Sequence, residues 1–294
     1  MGGWDLMAEI ISGKAIAEEI GRELLDRVRD LKRRGIIPGL GVVLVGDDPA
    51  SKVYVRNKKR TGEKLGIEVT IEHLPAHVKP EEVVALINRW NENSEIDGMI
   101  IQLPLPPSFD KQKLLDLVDP MKDVDGFSSY NLGRLFSGEP QFIPATPQGI
   151  LEILRRTRTR VRGRHCVIVG RSTIVGRPMA ALLLMKRDDD FGDGTVTVCH
   201  SRTENLPQIT RSADILIVAV GRPRFIKPEM VKPGAVVIDV GSNRVEDKWV
   251  GDVDEGVREV AAKITPVPGG VGPLTVIMLM KNTIQAAEWR LKRS

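Results

Sequence analysis

The sequence predicts an α/β protein of two domains, each a parallel sheet flanked by helices. Two observations carry this expectation. Short Val/Ile/Leu-rich runs at 39–45, 68–74 and 98–103, and again at 166–169, 196–199, 215–220 and 235–240, alternate with helical patterns. The alternation breaks in a Pro/Gly-rich stretch, 104–147, which holds one short helix near 111–118. At 294 residues the chain is long enough for two domains, and 41% hydrophobic with 4% aromatic content suits an aliphatic core.

Ile10-Ile11 and Gly13-Lys14 lead into an amphipathic helix, with Ile16, Ile20, Leu24, Val28 and Leu31 at helical spacing and Gly35 as its stop. The strand at 39–45 ends in the turn Gly46-Asp47-Asp48-Pro49, and Ser51 is the expected N-cap of a helix running to Gly66. A strand at 68–74, a helix at 80–91 and a strand at 98–103 follow. A second set of βα units starts at Gln148, a Pro/Gly-rich loop spans 264–272, and an amphipathic helix at 274–291 closes the chain.

The net charge of +4 is small for this length, and Lys32-Arg33-Arg34 and Arg155, Arg156, Arg158 and Arg160 read as solvated helix faces. No basic stripe interleaves with aromatics, so nucleic acid is not an expected partner. Cys166 and Cys199 fall in apolar strands, where packing is their expected role. The first seven residues lack the pattern of a signal peptide, and Met7 reads as a second start or the first six residues as a loose extension. No apolar run reaches membrane-spanning length, so the expected protein is soluble and cytoplasmic.

A ligand site is expected around residues 165–184. The run His165-Cys166-Val167-Ile168-Val169 is followed by Gly170-Arg171-Ser172-Thr173-Ile174-Val175-Gly176 and a helix start at Arg177-Pro178. Strand, glycine turn and helix aim backbone N–H groups and a positive helix end at a phosphate, as in a Rossmann-like domain. The glycines stand six apart, one more than the outer pair of the usual fingerprint, so the turn alone is also consistent with a plain βα connection. The next strand ends in His200-Ser201-Arg202, where an NAD enzyme carries an acid, and Arg171 adds a second cation. Charge-assisted hydrogen bonds of roughly 1.5–3 kcal/mol each favour a 2′-phosphate tenfold or more, which selects NADP.

Tyr54 and Lys58 share one helix face. The pair is that of short-chain dehydrogenases, but there it follows the nucleotide turn, whereas here it precedes it by more than a hundred residues. Gln102 ends a strand, where ligands of open α/β sheets bind, and it serves equally well to satisfy loop backbone. Lys122-Asp123-Val124-Asp125-Gly126 offers two carboxylates, too few for a hard-cation cage, so no metal is expected; one Asp suits the donor edge of a guanidine-like ring. The stretch from Thr265 to Thr275, with Pro268, Gly269, Gly270, Val271 and Gly272, reads as backbone approaching a ligand or as a hinge.

Together these stretches, with Gln102-Leu103-Pro104-Leu105-Pro106, Thr146-Pro147-Gln148-Gly149 and Val175-Gly176-Arg177-Pro178, closely resemble the bifunctional methylenetetrahydrofolate dehydrogenase/methenyltetrahydrofolate cyclohydrolase family, in its order and from Ile11 onward. The resemblance implies a folate-binding catalytic domain of 1–147 and 274–294, an NADP-binding Rossmann-like domain of 148–273, a cleft between them, and a homodimer through the nucleotide domains. It implies Lys58 as the catalytic lysine, Tyr54 stacked on the folate, Gln102 tuning the lysine and Asp125 binding the pteridine, with Ile101, Leu103 and Pro268 to Gly272 lining the folate. Gly170, Arg171, Ser172, Ser201, Arg202 and Ser242 would hold NADP.

The chain departs from that family at Ala145 (often Cys), Ser242 (commonly Ile) and Leu274 (usually Met, a volume-conserving change). The segment 187–194, with Asp188-Asp189-Asp190, reads as a loop tip without catalytic consequence. The expected reaction is oxidation of 5,10-methylenetetrahydrofolate by NADP, then hydrolysis of the methenyl form to 10-formyltetrahydrofolate. Lys58 must then titrate below the ordinary ~10.4, with Gln102 accepting from its ammonium or donating to its amine. Two rival readings are an NADP-dependent dehydrogenase of another small substrate and a non-catalytic NADP-binding sensor.

Overall fold

The computed structural model describes residues 7–293, so the expectation for the first six residues lies outside the described segment. In chain order the elements are β1 (Glu9–Ile10), α1 (Gly13–Arg33), β2 (Gly39–Val45), α2 (Pro49–Leu65), β3 (Glu68–Leu74), α3 (Pro80–Glu92), β4 (Gly98–Ile101), α4 (Lys111–Leu117), α5 (Ser129–Phe136) and α6 (Ala145–Arg156). They continue with β5 (His165–Val169), α7 (Gly176–Leu184), β6 (Thr195–Cys199), α8 (Leu206–Thr210), β7 (Ile215–Val218), β8 (Val236–Asp239), β9 (Asn243–Val245), β10 (Lys248–Val250), β11 (Lys263–Ile264) and α9 (Val271–Arg293). Over the described residues the chain forms two compact units, 18–145 with 276–293, and 7–17 with 146–275.

The first unit is built on a parallel sheet in the order β3-β2-β4. Every residue of β2 is buried, as its unbroken apolar run requires of a central parallel strand. Gly41 lets Trp90 of α3 lie against that strand, because a Cβ at 41 would stand 2.7 Å from the indole ring. Val43, Val45, Ile87, Trp90, Met99 and Ile101 belong to one buried cluster. At about 25 cal/mol per Å² of buried apolar surface, each such side chain contributes roughly 1.5–3 kcal/mol.

Helix α2 starts one turn earlier than the sequence suggests. Asp48, not Ser51, is the N-cap: its carboxylate accepts the Ser51 N–H at 2.7 Å, and Pro49 takes a first-turn position where a missing N–H costs nothing. Gly66, at φ 81°, closes the helix in the left-handed conformation. Helix α5 was not apparent from the sequence; Ser128 caps it by accepting the Asn131 N–H.

The second unit is a parallel sheet in the order β1-β11-β8-β7-β5-β6. Strands β5, β7 and β8 are almost wholly buried, while the edge strand β6 is half open to solvent. The chain leaves β5 for β6 on one side, then crosses to β7 on the other, so β5 marks the switch point where parallel α/β sheets bind ligands.

The units divide the chain differently from the expected 1–147/148–273/274–294 scheme at one place. Residues up to Ala17 belong with the second unit, because β1 pairs with β11 and Ile11 N–H donates to Ile264 O at 2.8 Å. A two-residue strand has no periodicity to read. Arg155, half-buried, also departs from the solvated-face reading, whereas Arg160 is exposed as expected. Arg155 bonds Asp189 at 2.9 Å and Arg160 meets Asp190 at 3.3 Å, while Arg162 donates to the carbonyls of Arg187 and Asp189, so the 187–194 segment is stitched down.

Strands β9 and β10 form an antiparallel hairpin that the sequence did not announce, because its turn is Glu246-Asp247. Both residues adopt positive φ, 47° and 62°, a turn geometry that favours Asn-Gly. Combining Glu246→Asn with Asp247→Gly is therefore expected to raise stability by about 1 kcal/mol, read as a higher Tm. An unchanged or lower Tm would show that the turn carries no strain.

Candidate active site

In the first unit α2, the end of β4 and the loop after α4 supply the expected folate-site residues. Lys58 Nζ donates to Gln102 Oε1 at 3.0 Å. Gln102 is buried, and its Nε2 donates to the carbonyl of Leu103 at 2.7 Å. That second bond fixes the amide: turning it over would oppose two oxygens at Leu103. Gln102 therefore accepts from Lys58 and does not donate to it, which corrects half of the expected proton-shuttling role. Ser51, one turn before Tyr54 and Lys58, donates to the same Leu103 carbonyl at 3.4 Å and ties the start of α2 to the segment after β4. Tyr54 stands 38% exposed beside the lysine on the helix face, Ile101 is buried as the last residue of β4, and Leu103 is half-buried.

The five residues Lys122 to Gly126 divide their work. Lys122 Nζ donates to the carbonyls of Trp90 and Asn93, at 2.9 and 2.7 Å, and so caps the end of α3. Asp123 is buried and its carboxylate accepts from Phe127 N, Ser128 N and Asn131 Nδ2, at 3.2, 2.9 and 2.9 Å. Val124 packs over Gly98, where a Cβ would come within 2.7 Å of the valine. Its carbonyl accepts from Asn282 Nδ2 of α9 at 2.8 Å, and Met99 N–H donates to Lys122 O at 2.7 Å. Asp125 alone makes no hydrogen bond or ion pair among the described residues. With Asp123 spent on N–H donors, the two acids do not form a cation-binding pair.

Desolvation sets the titration of this site. Burial holds the Lys58 amine below its usual range, opposed by the Asp125 charge, and burial pushes Asp125 up to about 6, opposed by Lys58 and assisted by the Asp123 charge. Half-buried and without a bonded partner, Asp125 carries a charge that the folded state disfavours above pH 6.

In the second unit the turn after β5 needs both of its glycines. Gly170 has φ 134°, and a Cβ there would strike the backbone oxygen of Ala219, while a Cβ on Gly176 would strike that of Gly170. Arg171 and Ser172 are exposed in the turn, and the Ser172 hydroxyl accepts Val175 N–H at 3.1 Å, which leaves its own hydrogen to donate outward. Ser201 and Arg202 are exposed just past β6, and neither Arg171 nor Arg202 is engaged by a carboxylate among the described residues. Ser242 is exposed between β8 and β9.

Pro268 to Gly272 fall in this second unit, in the passage from β11 into α9. Gly269, at φ 97°, and Gly272 face open space, whereas Gly270 is wedged against Pro266 and the backbone at Gly13. Thr146 and Thr275 hydroxyls meet at 2.9 Å, and Gly149 packs on Leu274. Buried Asp239 and Asp252, which the sequence reading passed over, lie at and beyond the end of β8. Their signal was a charged residue inside apolar company, Val250-Gly251-Asp252-Val253.

A glycine turn at the switch point of one sheet and a desolvated lysine–amide pair on the other define a nucleotide-binding α/β enzyme. The catalytic-domain profile of the tetrahydrofolate dehydrogenase/cyclohydrolase family matches residues 11–125, and its NAD(P)-binding-domain profile matches residues 144–291. The chain belongs to this family. It is 51% identical over 284 residues to the bifunctional protein FolD of Halalkalibacterium halodurans, covering 96% of this chain and 100% of that protein. The crystal structure of the bifunctional FolD methylenetetrahydrofolate dehydrogenase/cyclohydrolase of Campylobacter jejuni superposes with a TM-score of 0.92 at 43% identity, covering 96% of this chain and 99% of that one. The Trypanosoma brucei methylenetetrahydrofolate dehydrogenase-cyclohydrolase, solved with NADP and an inhibitor, gives 0.91 at 38% identity, covering 97% and 99%.

The pH dependence of stability follows from Asp125. The folded state binds its proton more tightly than the unfolded chain, near 3.8, so ionisation destabilises the fold progressively from about pH 4 to 6 and fully above 6. Asp125→Asn is expected to match the wild type near pH 4 and to exceed it in Tm by a growing margin up to pH 6, then by a constant one to pH 7. A margin independent of pH would show that Asp125 is solvated.

Proposed function

We propose that this chain oxidises 5,10-methylenetetrahydrofolate to the methenyl form with NADP and hydrolyses that product to 10-formyltetrahydrofolate. The observation that carries the reading is the 3.0 Å bond from a desolvated Lys58 to an amide oxygen that faces only one way. Full-length similarity to proteins named bifunctional FolD supports it. Held below its usual pKa by burial, the lysine gives up its proton more readily than a solvated amine does. One N–H of that amine donates to Gln102 and its lone pair accepts a proton from the water that adds to the cationic one-carbon bridge. The ammonium then returns the proton to the ring nitrogen as the bond from that nitrogen to carbon breaks, and the added oxygen closes to the formyl carbonyl with release of its remaining proton to solvent. Asp125, unspent on backbone, accepts from the amine and ring N–H groups of the pteridine, and Tyr54 stacks on its face.

The glycine turn fits a nucleotide pyrophosphate: side chains are absent where Cβ atoms would collide, and Ser172 has a hydrogen to give. Arg171, Ser201 and Arg202 meet a 2′-phosphate with donors and no acid among them, which supports NADP over NAD. Bound there, NADP supplies a hydride acceptor. Gly269 and Gly272 offer bare backbone to the folate, and Ser242 a hydroxyl to the cofactor. The protein is further read as a homodimer through its nucleotide-binding unit, supported by the one-sided edge strand β6 with Val198 and nearby Leu184 exposed. Two buried free thiols suit a reducing compartment, the cytoplasm. Among the described residues no helix is long and apolar enough to cross a membrane.

An absorbance time course with 5,10-methylenetetrahydrofolate tests the reading. NADPH formation faster with NADP than with equal NAD, and little methenyl build-up, is expected. No reduction of either nucleotide would remove the dehydrogenase assignment, and methenyl decay at the uncatalysed rate would remove the hydrolase one. Lys58→Met is expected to lower hydrolysis at least a hundredfold while folate affinity stays within a fewfold. Near wild-type hydrolysis would take Lys58 out of the chemistry.

A further inference from the structure

Two carboxylates are buried side by side in the second unit without a cation. Asp252 is fully buried, and its oxygens accept from Val220 N at 2.7 Å, Gly221 N at 2.9 Å, Arg222 N at 2.8 Å and Asn243 Nδ2 at 2.8 Å. Asp239, the last residue of β8 and 4% exposed, accepts from Gly241 N, Asp252 N and Val253 N at 2.9, 2.9 and 3.0 Å. No lysine or arginine forms an ion pair with either acid among the described residues. Burial, opposed by its N–H donors and assisted by the neighbouring Asp252 charge, pushes Asp239 up to about 6. Burying a carboxylate without a counter-charge is unfavourable, and here the converging N–H groups alone offset that cost.

The donors explain what the acids do. Val220, Gly221 and Arg222 form the loop beyond the carboxyl end of β7; Gly241 and Asn243 flank Ser242 beyond β8. Ala219, at the start of the first loop, is the residue whose backbone oxygen presses on Gly170 of the glycine turn. The two loops thus border the switch point from which the nucleotide is bound. Three successive N–H groups converging on one carboxylate leave the β7 loop a single conformation. The Asn243 bond then sets the β8 loop against it, and Asp239 seats Asp252 through its backbone. The Arg222 guanidinium, whose N–H Asp252 holds, lies over the Phe225 ring at 4.8 Å.

We infer that Asp252, seated by Asp239, is a positioning residue for nucleotide binding, which clamps the loops after β7 and β8 into the conformation that receives NADP. The inference rests on the NADP reading above. Replacing Asp252 by Asn keeps the shape but turns one acceptor into a donor facing N–H groups, so the clamp opens. Asn243→Ala removes the 2.8 Å bond between the two loops, together with a longer one, 3.2 Å, to the Val250 carbonyl within the hairpin.

Hydrolysis of added methenyltetrahydrofolate needs no nucleotide, so one preparation supplies its own control. For Asp252→Asn the KM for NADP is expected to rise at least tenfold, with methenyl hydrolysis within twofold of wild type. For Asn243→Ala the rise is expected to be two- to fivefold. Direct titration with NADP accompanies both. An unchanged KM and NADP affinity in Asn243→Ala, or a parallel fall of both activities in Asp252→Asn with NADP affinity intact, overturns the inference and assigns the acids to folding alone. If Asp252→Asn does not fold, Asn243→Ala decides. A wild type with no affinity for NADP would sink the cofactor reading and this inference together, whereas normal wild-type affinity with unaltered variants sinks only the inference.

Discussion

A lysine amine held against a single amide oxygen, with part of its hydration stripped away, is the constraint on which the first unit is organised. An ammonium in that place loses hydration and gains one neutral acceptor in exchange, so the surroundings must be rigid enough to keep water from restoring the loss. The surroundings supply that rigidity through backbone. Leu103 O takes both the Gln102 amide and the Ser51 hydroxyl, so strand end and helix start share one anchoring atom. Lys58 is thereby presented by a helix whose first turn cannot drift from the strand that carries its partner.

Both units turn acids on their own backbone. Asp123, Asp239 and Asp252 together accept from eight main-chain N–H groups and two side-chain amides, and they determine the shape of loops that the strands leave irregular. Irregular backbone cannot satisfy its own donors, and a carboxylate is the most compact acceptor that can collect several at once. Asp125 differs because nothing in the described chain claims it. The distinction between a structural acid and a ligand-facing one lies in where neighbouring N–H groups point.

That distinction was not legible in the sequence, where Asp123 and Asp125 are two residues apart in one turn. The strands were legible, because β2 and β7 are buried along their whole length, and β5 from Cys166 onward, and are therefore unbroken in hydrophobicity. The nucleotide turn was legible from two glycines and the basic residue after β6. Other features depend on partners remote in the chain. Strand β1 exists through β11, the N-cap of α2 is the Asp48 carboxylate in an Asp-Pro pair that reads as a turn, and the β9–β10 turn uses residues that ordinarily avoid its conformation. The arginines of 155–162 find acids in a loop some thirty residues on, a pairing that no local pattern displays.

Gly98 shows how narrowly the site is buffered. Its missing side chain is the space that Val124 fills, and the residue after Val124 is Asp125. A methyl group added at 98, at the start of a strand, would be felt as a displaced carboxylate one residue beyond the valine it pushes. Such a change would move a surface-facing acid while lying in the core. Positions 98 and 124 are therefore free to vary only in concert, and sequence drift in this sheet is limited by the placing of an acid that lies next to one of them in the chain.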